Sequence, residues 1–256
     1  MVAITKLEIP LGFDQRAVRK RIGLIVLATD HTTEADFTRL VASPEVGIYG
    51  ARIAYANPTT PENLRAAAPR LAQAAALLLP DEELDVICFS CTSASVVIGD
   101  DAVAKGIGLG KPGVPVITPP LAVQAGLNAM GVRRISVLTP YTVETSVPMA
   151  SYFADKGFEI ASFSCLGLDD DRLMARLSPQ TLVEAAVAAM ADDAEALFIS
   201  CTALRSAALV ETVEQRIGRP VITSNQATAW ACLAQCGVAA PANAGRLMRL
   251  PMAKVA

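Results

Sequence analysis

The sequence has one histidine and one tryptophan among 256 residues, and aromatic residues make up only 5% of it. With His31 as its sole imidazole, and with no GxSxG segment, the chain offers neither a Ser-His triad nor a histidine-rich metal site. No GxGxxG that follows a strand, and no Walker-type loop, is present; Gly106, Gly108 and Gly110 belong to a glycine run that follows no strand. Beyond Arg16 to Arg21 no stretch concentrates basic residues, and the net charge is −3. Nucleic acid is therefore not an expected partner, because binding it needs phosphate-neutralising charge on one face. Long apolar runs are also missing. Ile22 to Ala28 is cut by Asp30 and is too short to span a bilayer, so no membrane association is expected. Its basic flank, Arg19-Lys20-Arg21, lacks the apolar stretch and small-residue cleavage site of a secretory signal, and the expectation is a cytoplasmic protein.

What the chain does have is apolar bulk: 52% of its residues are hydrophobic, enough for one large α/β domain or two small ones. Its six cysteines suit a reducing compartment better than a disulfide framework. Cys88-x-x-Cys91 has no second CxxC to complete a zinc site, so no metal is expected. A redox pair would place its first cysteine at a helix start, whereas Cys88 lies inside an apolar strand. Cys88, Cys165, Cys232 and Cys236 read as small buried hydrophobes.

Two segments read almost alike: Asp85-Val86-Ile87-Cys88-Phe89-Ser90-Cys91-Thr92-Ser93 and Ala196-Leu197-Phe198-Ile199-Ser200-Cys201-Thr202-Ala203-Leu204. Each is an apolar strand running into Ser-Cys-Thr and then a helical pattern. The duplication continues: Pro115-Val116-Ile117-Thr118 in the first half answers Pro220-Val221-Ile222-Thr223 in the second, and an apolar helix ending in Gly follows each. Strand-length runs alternate with helical patterns throughout, including helices expected over Pro61 to Leu79, Ser93 to Lys105 and Ala203 to Ile217. The expected fold is α/β, with two pseudo-symmetric flavodoxin-like lobes, each a mostly parallel sheet flanked by helices, and an active site in the cleft between them. Residues 1–118 with 224–256 would form the lobe carrying Cys91, and residues 119–223 the lobe carrying Cys201. Both cysteines would then sit at the carboxyl ends of strands, where open α/β sheets bind ligands.

A cysteine at a strand-to-helix junction sits beside free helical N–H groups, which favour thiolate and are expected to lower the thiol pKa. Two thiols facing one carbon suit proton transfer on both of its faces without a cofactor. One thiolate removes a proton or adds to a double bond while the other thiol returns a proton. The N–H groups and hydroxyls around Thr92, Ser93, Thr202 and Ala203 would meet enolate charge. The plainer alternative is that both cysteines only pack beneath helix ends. His31 reads as a solvated loop residue or a substrate contact.

The paired cysteine segments, with Arg21-Ile22-Gly23-Leu24-Ile25-Val26, Val137-Leu138-Thr139-Pro140-Tyr141 and Ser224-Asn225-Gln226-Ala227, resemble the aspartate/glutamate racemase superfamily. The likeness is greatest to its branch of maleate cis-trans isomerases and arylmalonate decarboxylases, and it spans nearly the whole chain. It implies Cys91 as nucleophile or base, Cys201 as the acid on the opposite face, and Tyr141 as a donor to a substrate carboxylate. A turn aromatic packed after a strand is the alternative for Tyr141. The resemblance also implies a small carboxylate substrate and a homo-oligomer. Arylmalonate decarboxylases have glycine where this chain has Cys91, so two thiols favour isomerase or racemase chemistry. The alternatives are a decarboxylase using Cys201 as proton donor and a non-catalytic carboxylate-binding protein.

Two departures bear on the substrate. Maleate isomerases carry a Pro-Ser-Ser-Asn-Thr segment where this chain reads Leu27-Ala28-Thr29-Asp30-His31, and an asparagine where this chain has Asp171. An amide can donate to a carboxylate, whereas an ionised Asp only accepts. Asp30 and Asp171 are thus expected to receive an ammonium or amide N–H, with Asp30 as cap of the helix near Thr33 the alternative. The Leu27 to Asp30 segment is similar to that of ectoine-utilisation proteins of the same superfamily.

Overall fold

The computed structural model describes residues 2–251. The first sheet contains β1 (Lys20–Leu27), β2 (Val46–Ile53), β3 (Val86–Ser90) and β4 (Val116–Ile117) in the order β2-β1-β3-β4. The second contains β5 (Arg134–Tyr141), β6 (Glu159–Leu168), β7 (Ala196–Ile199) and β8 (Val221–Thr223) in the order β6-β5-β7-β8. Every pairing in both sheets is parallel, and β1 and β5 occupy equivalent places. The duplicated sequence thus folds into duplicated topology, and the central strands β3 and β7 are buried on both faces, as their unbroken apolar runs require.

The helices are α1 (Thr33–Leu40), α2 (Pro61–Arg65), α3 (Leu71–Ala76), α4 (Thr92–Ile98), α5 (Asp100–Gly110), α6 (Pro119–Ala129), α7 (Val143–Asp155), α8 (Asp171–Met174), α9 (Pro179–Ala189), α10 (Val210–Ile217) and α11 (Ser224–Cys236). Among the described residues no helix is long and apolar enough to cross a membrane. Helix α11 is buried along nearly its whole length and packs on β1, β3, β4 and α1 of the first sheet while also meeting α6 and β8. It starts with a capping box between Thr223 and Gln226. The run Gly106 to Gly110 has a packing role: a Cβ at Gly110 would lie 2.1 Å from the Ala72 carbonyl oxygen, so α5 can approach α3 only because that side chain is missing.

Three expected helices differ. The segment from Pro61 to Leu79 breaks into α2, a 3-10 turn at Ala68–Arg70 and α3, because Pro69 lacks an N–H and its ring opposes the preceding turn. The segment from Ser93 to Lys105 divides at Gly99, whose φ of +93° is open to glycine. From Ala203 onward no helix forms until a 3-10 turn at Ala207–Leu209 leads into α10. There the backbone acceptors are taken elsewhere: the Thr202 carbonyl accepts from Asn225 Nδ2 at 2.9 Å and the Ala203 carbonyl from the Thr32 hydroxyl at 2.7 Å.

Candidate active site

The chain leaves β3 at Ser90, and Cys91 becomes the residue preceding α4. It leaves β7 at Ile199 and places Cys201 in a turn with φ of +96°, a left-handed conformation rarely taken by a side-chain-bearing residue. The two cysteines therefore differ locally. Only Cys91 stands at the start of an α-helix, which corrects the reading of two helix-start thiols. At Cys201 the sulfur accepts instead the N–H of Ala203, at 3.3 Å, within the same turn.

Both thiols line one nearly closed cavity together with Leu27, Asp30, Tyr55, Thr59, Leu64, Ser93, Tyr141, Asp171, Thr202 and Ala203. The space between its atoms is about 270 Å³. Eight of the nine residues singled out in the sequence meet there. The ninth, Thr92, is turned away: its hydroxyl donates to Ser224 Oγ at 2.8 Å, and the same oxygen accepts the Cys201 N–H at 3.1 Å. Thr92 thus holds the cavity wall instead of donating into it. Ser224 joins the two cysteine segments.

Tyr55, Thr59 and Leu64 are cavity residues with no signal in the sequence, since they belong to a first-lobe loop and the helix after it. The loop reaches the second lobe through Thr59 N–H to the Asp169 carbonyl at 2.6 Å, Asn57 Nδ2 to Asp170 Oδ1 at 2.9 Å, and the Thr145 hydroxyl to the Thr59 carbonyl at 2.8 Å. The polar run Asn57-Pro58-Thr59-Thr60-Pro61 marks a loop but carries no hint of this long-range pairing. His31 is exposed and stands outside the cavity, in an open surface depression with Asp170, Arg172, Leu173, Ala175 and Arg176 around α8.

The electrostatics overturn the expectation of lowered thiol pKa values. Burial pushes the Cys91 thiol up to about 12, and the charge of Asp171 adds to it; the Ala94 N–H and the Ser93 hydroxyl only partly oppose them. Burial and Asp171 likewise raise Cys201, against the Tyr141 hydroxyl and the Ala203 N–H. A dry, negatively charged surrounding therefore outweighs the helix N-terminus. Tyr141 is held neutral by burial, with both thiols adding to the shift, and its hydroxyl faces Cys201 and Ser93.

Among the described residues no lysine, arginine or histidine lines the cavity, but two carboxyl groups do. Asp30 is largely occupied: Oδ1 accepts the N–H groups of Thr32 and Thr33, each at 2.8 Å, and Oδ2 accepts the Thr33 hydroxyl at 2.6 Å. It orders the start of α1, as the capping alternative expects. Asp171 accepts the Thr29 hydroxyl at 2.7 Å and, more weakly, the Thr59 hydroxyl at 3.4 Å. Burial raises the pKa of both acids. Cys88 and Cys232 are neighbours in the core, away from the cavity lining. Among the described residues no group of His, Cys, Asp and Glu could hold a metal ion.

This duplicated fold with one thiol per lobe has relatives. The model of the arylmalonate decarboxylase family matches residues 24–248. This chain belongs to that family. Relatives include the maleate isomerase of Nocardia farcinica, 28% identical over 90% of this chain and 96% of its own length. The arylmalonate decarboxylase of Bordetella bronchiseptica is 33% identical over 52% of this chain and 56% of its own. Among solved structures, a cysteine-to-serine mutant of the Nocardia farcinica maleate cis-trans isomerase, with a covalently bound succinylcysteine intermediate, superposes with a TM-score of 0.80. It is 26% identical and covers 90% of this chain and 98% of its own. A liganded double mutant of arylmalonate decarboxylase reaches 0.81 at 28% identity, covering 89% and 98%.

Proposed function

We propose that the protein is a cofactor-independent isomerase or racemase of a small carboxylate, with Cys91 and Cys201 as its acid–base or nucleophilic pair. The observation that carries this reading is the meeting of two thiols, one from the carboxyl end of each equivalent central strand, in a single buried cavity. A carbon held between them can lose a proton to one sulfur and gain one from the other. The S–H and C–H bonds exchange, and no electrons leave the system. Tyr141 O–H, Ser93 O–H and the N–H groups opening α4 are the donors for the enolate that forms. Maleate isomerase relatives, one of them caught as a succinylcysteine, support thiol chemistry on a carboxylate.

The family's decarboxylase branch supplies a second reading, in which Cys201 alone protonates an enediolate and Cys91 stands by. The two separate on Cys91→Ala. This variant loses isomerisation or racemisation by roughly 10²-fold or more if the thiols act as a pair. It retains decarboxylation of an arylmalonate if Cys201 suffices. Loss of neither activity on replacing either cysteine removes both readings.

A further inference from the structure

Two polar groups of the cavity have capacity left over. The Tyr55 hydroxyl oxygen is buried and makes no hydrogen bond of ordinary geometry among the described residues, with the Thr59 hydroxyl near enough only to oppose the rise in its pKa; this is rare for a buried hydroxyl. Asp171 is the other: a carboxylate can accept about four hydrogen bonds, and this one receives two, one of them long. The charges acting on it most strongly, Asp30 and Asp170, are both negative. Asp30 has already spent three acceptor positions on α1. Tyr55, Asp171 and both thiols feel one another's charge, so the unmatched donor and the unneutralised acceptor lie beside the reacting sulfurs.

A ligand that satisfies both groups must accept from Tyr55 and donate, with positive charge, to Asp171. We propose that the substrate is a small amino acid whose ammonium group sits on Asp171 and whose carboxylate takes the Tyr55 hydroxyl. This rests on the isomerase or racemase reading. The carbon bearing the ammonium then lies between the sulfurs: its C–H proton passes to one thiolate, and the opposite thiol delivers a proton to the other face. The thiol proton surrendered beforehand goes to water. The ammonium has a second effect. It offsets the Asp171 charge that raises both thiols, so thiolate forms more readily with the amine in place. A dianion without an amine would instead face that carboxyl group in a cavity that no described lysine, arginine or histidine lines.

Binding and turnover are measured separately. Aspartate, alanine and 2,3-diaminopropionate are compared with maleate, malate and lactate, by calorimetric titration of the Cys201→Ala variant and by proton exchange in deuterated water with the unaltered protein. The proposal expects amine-bearing acids to bind at least tenfold more tightly, and Asp171→Asn to erase or invert that preference. Equal or tighter binding of the amine-free acids, or an unchanged preference in Asp171→Asn, overturns it. Amine-dependent binding without any proton exchange leaves the ligand assignment standing and removes the isomerase reading instead.

Discussion

The hydroxyl of Thr29, just beyond β1, donates to Asp171 Oδ2 at 2.7 Å, a bond between residues 142 apart that ties the end of the first sheet's central strand to α8. Through it the cavity carboxyl with the greater spare acceptor capacity is fixed near both thiols. The bond holds a charge that burial opposes.

That opposition sets a pH dependence of stability. The native pKa of Asp171 is raised above its ordinary value, so the folded chain binds more protons than the unfolded one between the two. The resulting stability is present at low pH and is lost as pH rises through the native pKa. Asp171→Asn is therefore expected to raise the urea midpoint at pH 8, with the gain shrinking as pH falls. Melts at pH 8 and in the acid range, compared between the two proteins, check the sign.

The resting thiols are neutral. With Cys91 pushed up to about 12 and Cys201 also raised, difference spectra against Cys91→Ala and Cys201→Ala should show no thiolate absorbance near 240 nm from either residue at pH 8. In Asp171→Asn the titration should begin at lower pH, because one cause of the shift is gone. A thiolate signal at pH 8 in the unaltered protein that disappears in Cys91→Ala would show that burial does not govern this site.

Cys201 holds its φ of +96° at a cost of order 1–3 kcal/mol for a side-chain-bearing residue. Glycine at this place escapes that penalty whereas alanine does not. Cys201→Gly should accordingly be more stable than Cys201→Ala by about 1 kcal/mol, the reverse of the usual order, with neither variant completing the two-sided proton transfer. Denaturant unfolding of the pair tests it.

Ser224 is the shared acceptor of Cys201 N–H and the Thr92 hydroxyl. Replacing it with alanine strands two buried donors, at about 1–3 kcal/mol each. Ser224→Ala should lose roughly that much stability and lower kcat more than it raises KM, since the turn carrying Cys201 loosens while the Tyr55 and Asp171 side of the cavity is untouched. A change confined to KM would separate Ser224 from the placing of Cys201.

Much of this was legible in the sequence because it is local. The runs ending at Ser90 and Ile199 had to be buried strands, and the repeated Pro-Val-Ile-Thr segments gave the matching β4 and β8. What could not be read depends on distant partners. Asn225 and Thr32 draw off the carbonyls of Thr202 and Ala203, so no helix begins at Cys201. Ser224 takes the hydroxyl of Thr92. The wall formed by Tyr55 and Thr59 is brought in by a loop from the other lobe, which leaves no periodicity behind. The thiol pKa values were misread for the same reason: a helix start is visible in a sequence, whereas burial beside Asp171 is not.

The central claim is that each sulfur serves one face of a carbon held between them. Proton exchange in deuterated water, followed separately on each enantiomer of an exchanging substrate, tests it most directly. The account predicts that Cys91→Ala stops exchange from one enantiomer and Cys201→Ala from the other. If one variant abolishes exchange from both enantiomers while the other leaves both unchanged, a single thiol does all the chemistry and the two-sided mechanism is wrong.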